Sequence, residues 1–158
     1  MKGILKTALC TLFAVIAFNA SAQWYVGGSA TLLLTEDTQG LTLSPEAGYW
    51  LNENWAVGGI VDITAQDNYD ACILKPYVRY AFMQIGTVTA VAEAFAPIGV
   101  DNDDFIVGTT VGPAILIPFT DKCSFTTRLG SLGIIAGSDY DNFRLIAGPV
   151  SFGFTYSF

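Results

Sequence analysis

Polar and apolar positions alternate with a period of two along much of this chain, and the last eight residues show it most plainly. Phe152, Phe154, Tyr156 and Phe158 are aromatic, whereas Ser151, Gly153, Thr155 and Ser157 are small or polar. Successive side chains of an extended strand point to opposite faces, so this segment predicts a strand with one greasy face and one polar face. Such a ribbon suits a barrel whose outer side meets lipid and whose inner side meets a lumen.

Punctuation divides the chain into eight strand-like segments, over 23–34, 41–51, 55–64, 72–82, 86–98, 105–117, 123–136 and 143–158. Their separators alternate in kind. Asn52-Glu53-Asn54, Met83-Gln84-Ile85 and Thr120-Asp121-Lys122 are tight, whereas 35–40, 65–71, 99–104 and 137–142 are longer and polar. The pattern predicts an all-β, eight-stranded antiparallel up-and-down transmembrane β-barrel with both chain ends on the tight-turn side. Most segments reach the roughly 9–11 residues of a tilted crossing. Closure is a physical requirement, because an open edge in lipid leaves costly unpaired N–H and C=O groups.

Facing follows from parity. The first segment sets Trp24, Val26, Ala30, Leu32 and Leu34 against Tyr25, Gly27, Ser29 and Thr31. Leu41, Leu43, Ala47 and Tyr49 oppose Thr42, Ser44, Glu46 and Gly48 in the second. In the third, Val57, Val61 and Ile63 oppose Gly58 and Asp62, with Ile60 an exception, and in the fourth Leu74, Val78, Tyr80 and Phe82 oppose Lys75, Tyr77 and Arg79. The fifth sets Val88, Ala90, Ala92 and Ala94 against Thr87, Thr89 and Glu93, and the sixth and seventh alternate less cleanly. Pro45, Pro76, Pro113 and Pro149 fall within strands, where each removes a ladder donor. A bulge near Gly148-Pro149 would also account for Arg144, which otherwise shares the face of Phe152 and Phe154.

Composition decides between a membrane barrel and a soluble cup. The chain is 52% apolar with mean hydropathy +0.47, yet beyond residue 22 its longest uncharged stretch, Phe105 to Thr120, is broken by Gly108, Gly112, Pro113 and Pro118. Charged residues make up 13%, against about 25% in ordinary soluble domains. A soluble cup would turn apolar residues inward and charges outward. Here the few strand charges lie opposite the bulky apolar set, which favours the membrane.

The opposite end of the chain agrees with export. Lys2 and Lys6 precede an apolar run from Ala8 to Phe18, and Ala20-Ser21-Ala22 forms a small-x-small site before Gln23. This reads as a cleaved secretory signal peptide, 1–22, leaving a barrel domain over 23–158. The run is short against the roughly 20 residues of a spanning helix.

Net charge is −7, and nine of the fourteen acidic residues fall in the longer loops: Glu36, Asp37, Asp67, Asp70, Asp101, Asp103, Asp104, Asp139 and Asp141. Three readings stand: plain solvation, divalent-cation bridging to lipopolysaccharide phosphates, and a calcium site. Asp101-Asn-Asp-Asp104 lacks the glycine and distal glutamate of an EF-hand loop. Acidity argues against nucleic acid as a partner. On the lumen side, Glu46, Asp62 and Glu93 meet Lys75, Arg79 and Arg128, a balanced set. An eight-stranded barrel is just wide enough for side chains to fill, so the set predicts either a fixed interior network or a gated polar pathway.

Trp24, Trp50, Trp55, Phe82, Phe119, Tyr156 and Phe158 lie towards the tight turns, and Tyr69, Phe105, Tyr140 and Phe143 towards the loops. They predict two interfacial girdles, with lumen packing as the alternative for Trp50. Cys10 leaves with the signal, whereas Cys72 and Cys123 fall near opposite rims and predict two free thiols. Histidine is absent, which removes Ser/His/Asp and Cys/His arrangements and the usual zinc sets. Phosphate-binding and dinucleotide fingerprints are also missing. The expectation is a chain without catalytic residues, metal or cofactor.

The Gln23-Trp-Tyr-Val-Gly-Gly-Ser29 start, the hairpin from Pro45 to Gly58 and the Phe152-Gly-Phe-Thr-Tyr-Ser-Phe158 ending resemble the small outer-membrane β-barrel (porin-family) domain of OmpA and OmpX type. The resemblance covers the whole segment after the signal, and its motifs are generic to the architecture. It implies an integral outer-membrane protein that meets lipid and lipopolysaccharide, is delivered by periplasmic chaperones, and is a monomer. It further implies that Phe154, Tyr156 and Phe158 form the signal read by the barrel assembly machinery. The loops are short beside those of adhesive members, and no peptidoglycan-binding domain follows. The expected role is therefore structural or surface-interacting, with a narrow porin-like channel for ions or small solutes as the alternative. An acyl-modifying enzyme is a distant third.

Overall fold

The computed structural model describes residues 24–35, 38–66, 69–101, 104–137 and 144–158. Side chains of 32–35, 38–40, 65–66, 69–70, 101 and 104 are not included. The signal-peptide residues Ala20, Ala22 and Gln23, and the loop acids Glu36, Asp37, Asp67, Asp103, Asp139 and Asp141, lie outside the described residues.

Alternating, β-branched and aromatic-rich sequence gives strands throughout, because such side chains pack well on a pleated surface. The ladder segments are β1 (Trp24–Thr35), β2 (Thr38–Trp50), β3 (Trp55–Gln66), β4 (Tyr69–Ile85), β5 (Val88–Phe95), β6 (Ile98–Asp101), β7 (Asp104–Pro118), β8 (Cys123–Arg128), β9 (Ser131–Gly137), β10 (Arg144–Gly148) and β11 (Ser151–Ser157). Three neighbouring pairs, β5 with β6, β8 with β9 and β10 with β11, are single staves interrupted once, so the segments make eight staves. Every pairing is antiparallel. The ring closes where β1 meets β11, from Tyr25↔Ser157 to Ala30↔Phe152, and where β11 meets β8 and β8 meets β7.

The interruptions coincide with prolines. The β2–β3 ladder skips Ser44 and Pro45 between Leu43↔Ile63 and Glu46↔Ile60. Pro76 and Pro97 face the gap between β5 and β6, where neither supplies an N–H, yet the register on either side is unchanged. At Pro113 the partner of β7 switches from β8 to β9, and Pro113 O accepts a hydrogen bond from Leu129 N. Here one residue is inserted around Gly130, whose φ of +105° only glycine adopts without strain. Pro149 lies in the break between β10 and β11. Across it the outward parity switches, so Leu145 and Ala147 face out with Phe152 and Phe154. Gly148↔Ser131 and Ser151↔Arg128 keep one register, so the break at Gly148-Pro149 inserts no residue against the neighbouring stave, and the parity switch alone takes Arg144 off the face of Phe152.

Two sequence expectations about boundaries require correction. The ladders continue to Thr35↔Thr38, Gln66↔Tyr69 and Asp101↔Asp104, so three of the four longer loops are shorter than polarity implied. Beyond the apolar band a strand meets water on its outer side, so polar residues there do not end it. The turn placed at Met83-Gln84-Ile85 is instead Gly86-Thr87, flanked by Ile85↔Val88, with Gly86 at φ +61°. A register shift between Ala81 and Met83 carries the extra residue. The other tight turns are held by side chains: Asn52 Oδ1 accepts from the Asn54 and Trp55 amides, and Thr120 Oγ1 from those of Lys122 and Cys123.

Large apolar residues cover the outside. Leu43, Val57, Leu74, Val78, Val111, Leu132, Ile134, Phe152 and Phe154 are all exposed there. At the tight-turn end aromatic pairs form a girdle, with Trp24 against Tyr49 at 5.1 Å, Trp55 against Tyr80 at 4.6 Å and Phe119 against Phe154 at 6.2 Å between centroids. Trp50 does not belong to it. Its ring turns inward, 6.2 Å from Tyr25, and packs on both interior clusters. Cys72 is exposed and Cys123 half-buried, and both thiols are free.

Candidate functional site

The interior has three levels. Nearest the tight turns, Ala81, Val91 and Ala114 pack with Trp50 and Leu116 into an apolar floor. Above it sits the charge cluster, and above that an open chamber towards the loops.

Cross-strand register builds the cluster. Arg79 on β4 is the rung partner of Glu93 on β5, while Glu46 on β2 and Arg128 on β8 reach in from other parts of the wall. Arg79 Nε and Nη2 donate to Glu93 Oε1 at 2.9 and 2.6 Å, and Nη2 also donates to Glu46 Oε1 at 2.9 Å. Arg128 Nε donates to Glu93 Oε2 at 2.8 Å and its Nη2 to Glu46 Oε2 at 2.7 Å. Each carboxylate is thus bridged by both guanidiniums, a neutral cycle of four charges. Arg79, Glu46 and Glu93 are 1–2% exposed, so these ions depend on one another for solvation. Lys75 and Asp62 form a separate pair at 2.5 Å, nearer the loops. The structure therefore divides the six predicted lumen charges into a cycle of four and an isolated pair.

Two tyrosines complete the cycle, and sequence reasoning placed them on the lumen face without giving them a role there. One row across the wall reads Tyr25, Gly48, Gly58, Tyr77. A Cβ on Gly48 would strike the Tyr25 ring, and one on Gly58 would strike that of Tyr77. The two glycines leave room for the rings to lie over the strands and bring their hydroxyls to 2.5 Å. Tyr77 donates its proton to Glu46 Oε1 at 2.6 Å, which leaves Tyr25 as donor to Tyr77. The Arg79 guanidinium lies 5.3 and 5.2 Å from the two ring centroids, cation–π contacts on both sides. A glycine paired across the ladder with an inward tyrosine was the legible signal.

The chamber above holds about 450 Å³. Its lining includes Lys75, Asp62 and Phe95, with Lys75 Nζ 5.7 Å from the Phe95 centroid. Among the described residues, the buried side-chain oxygens Asp62 Oδ1 and Thr126 Oγ1 have no hydrogen-bond partner. The aromatic ending lies on the outside, where Phe154 and Tyr156 are exposed and Tyr156 meets Phe158 edge-on at 5.2 Å. Among the described residues no group of three or more His, Cys, Asp or Glu side chains could hold a metal ion.

No family model matches the chain, and no curated protein matches it in sequence. Solved structures do. A de novo designed transmembrane β-barrel superposes with TM-score 0.55 at 11% identity, covering 89% of this chain and 98% of the design. A second design, TMB2.3, solved by solution NMR, gives 0.52 at 12% identity over 88% and 96% of the two chains. The KdgM porin aligns at 10% identity over 85% of this chain and 99% of its own with a TM-score of only 0.32, too low to bear on the fold. At these identities the likeness establishes architecture. The chain has the closed eight-stranded antiparallel fold of a transmembrane β-barrel.

Proposed function

We propose that this chain is an integral outer-membrane protein with a structural and surface-interacting role in the bacterial cell envelope, and that its barrel has no continuous pore. The observation that carries the reading is the neutral Glu46–Arg79–Glu93–Arg128 cycle, which links β2, β4, β5 and β8 across the interior above an apolar floor. Ions crossing there would have to break a buried four-charge arrangement. Outside, the apolar band and aromatic girdle suit acyl chains and headgroups. The export reading rests on Lys2, Lys6 and the Ala20–Ala22 site before Gln23. The assembly reading rests on Phe154, Tyr156 and Phe158, recognised by the barrel assembly machinery after chaperone delivery. Lipid and lipopolysaccharide are the proposed surroundings of a monomer without catalytic activity or cofactor.

Planar-bilayer recording on the purified barrel tests the plug, together with fractionation of the cells. We expect outer-membrane partition and no steady conductance. Reproducible openings of the unaltered barrel would transfer the reading to a narrow channel for ions or small solutes. Glu93→Lys, which sets three cations against one carboxylate, is expected to lower stability or open conductance, and no change in either would argue against the plug.

A further inference from the structure

One part of the wall is not laced. Above Ala30↔Phe152 the β1–β11 ladder stops, and the upper parts of the two staves have no rungs between them. Among the described residues, the upper part of β1 pairs only with β2, and β10 pairs only with β9. This seam runs beside the chamber, whose lining includes Ser29 and Thr31 on one flank and Pro149 and Ser151 on the other. Unpaired backbone facing hydrocarbon is costly unless a hydrogen-bonding group covers it.

The chamber is two-sided in a way that matches the seam. On the β1–β3 arc it presents hydroxyls from Ser29, Thr31, Ser44 and the mutually bonded Thr42 and Thr64, with Ile60 the apolar exception. Around the other arc, ending at β10, the larger side chains are Ile73, Phe95, Ile106, Ile135 and Ile146, with the Thr110 and Ser131 hydroxyls set between them. Its charges are already neutralised, Lys75 by Asp62 and Arg128 within the cycle, so an ionic guest would find no uncommitted counter-charge. Asp62 Oδ1 still lacks a donor. The volume of about 450 Å³ falls within the roughly 300–1,000 Å³ of small-molecule sites.

We propose that this chamber binds a neutral, hydroxyl-bearing, single-chain amphiphile that enters sideways from the membrane through the seam. Its head meets the hydroxyl arc and donates to Asp62, and its tail lies along the isoleucines towards β10. The proposal rests on the barrel lying in a bilayer and goes beyond the plugged-barrel role.

The test is photolabelling of the full barrel in phosphatidylcholine vesicles with a monoacylglycerol carrying a diazirine in its tail, read residue by residue by mass spectrometry. Labelling of inward Ile106, Ile135 and Ile146 is expected, falling at least tenfold in Thr110→Trp, whose side chain fills the chamber. Ser29→Phe, on the opposite wall, gives the same readout should Thr110→Trp fail to fold. Outward Leu132, Ile134 and Leu145 are expected to label equally in all forms. Label confined to those outward residues overturns the proposal, as does inward label that neither variant reduces. Excess maltose is expected to give no protection, and protection would mean a solvent-borne ligand and also overturn it. Loss of outward labelling as well would sink the bilayer reading beneath it.

Discussion

Arg79 shows how much a single position depends on its surroundings. It is clasped by two carboxylates and two tyrosine rings, and 1% of it is exposed. Arg79→Met leaves Glu46 and Glu93 sharing one arginine, and breaking a buried ion pair in this way costs about 3–5 kcal/mol. The expected outcome is a lower urea midpoint for the lipid-embedded barrel. Adding Glu93→Leu restores neutrality and should recover most of the loss. Tyr77→Phe removes one donor to Glu46 and the acceptor for Tyr25, so it should cost about 1.5–3 kcal/mol, the range for hydrogen bonds to charged groups, in the same assay. Parity alone put Glu46, Arg79, Glu93 and Arg128 on the lumen side. It could not show which charges meet, because Arg128 reaches Glu46 across the barrel, and that depends on curvature and stagger that a linear pattern does not encode. Nor did alternation explain Ile60, whose apolar side chain sits inside at 2% exposure because it packs in the tyrosine cluster.

At the level of the strands, irregularities do much of the aiming. Gly130 admits an extra residue and flips the outward face between Phe125 and Leu132, while Pro149 marks the matching switch on the neighbouring stave. Gly130→Ala forces a side chain into a φ of +105° and should cost about 1 kcal/mol or more, again read from the urea midpoint. Gly59→Ala has open space around its Cβ and serves as the control, with little change expected. Strand number, direction and most facings were legible, since each outer face repeats the same two-residue beat. The sixth and seventh segments looked poor because one carries apolar residues on both faces, with Ile106, Ala114 and Leu116 inside, and the other contains the insertion. Strand ends were the least legible feature, because polar residues at Thr38–Gly40 and Tyr69–Asp70 extend ladders past the apolar band.

For the molecule as a whole, the decisive property is an inverted surface. Val111 is 57% exposed on the outer face near the level of Glu93, its diagonal neighbour across the ladder. In a bilayer Val111→Arg should cost about 2–4 kcal/mol, whereas an exposed site in water would tolerate it within about 0.5 kcal/mol. Equilibrium unfolding in vesicles separates the two. Replacing Phe154, Tyr156 and Phe158 together with alanine should reduce the outer-membrane fraction several-fold in cells, with the chain accumulating in the periplasm. The meeting of Tyr25 with Ser157 has a further consequence for biogenesis. The cylinder is completed by its first and last staves, so no partial barrel can seal itself. Until the final stave arrives, two raw flanks stay open to any other extended chain nearby.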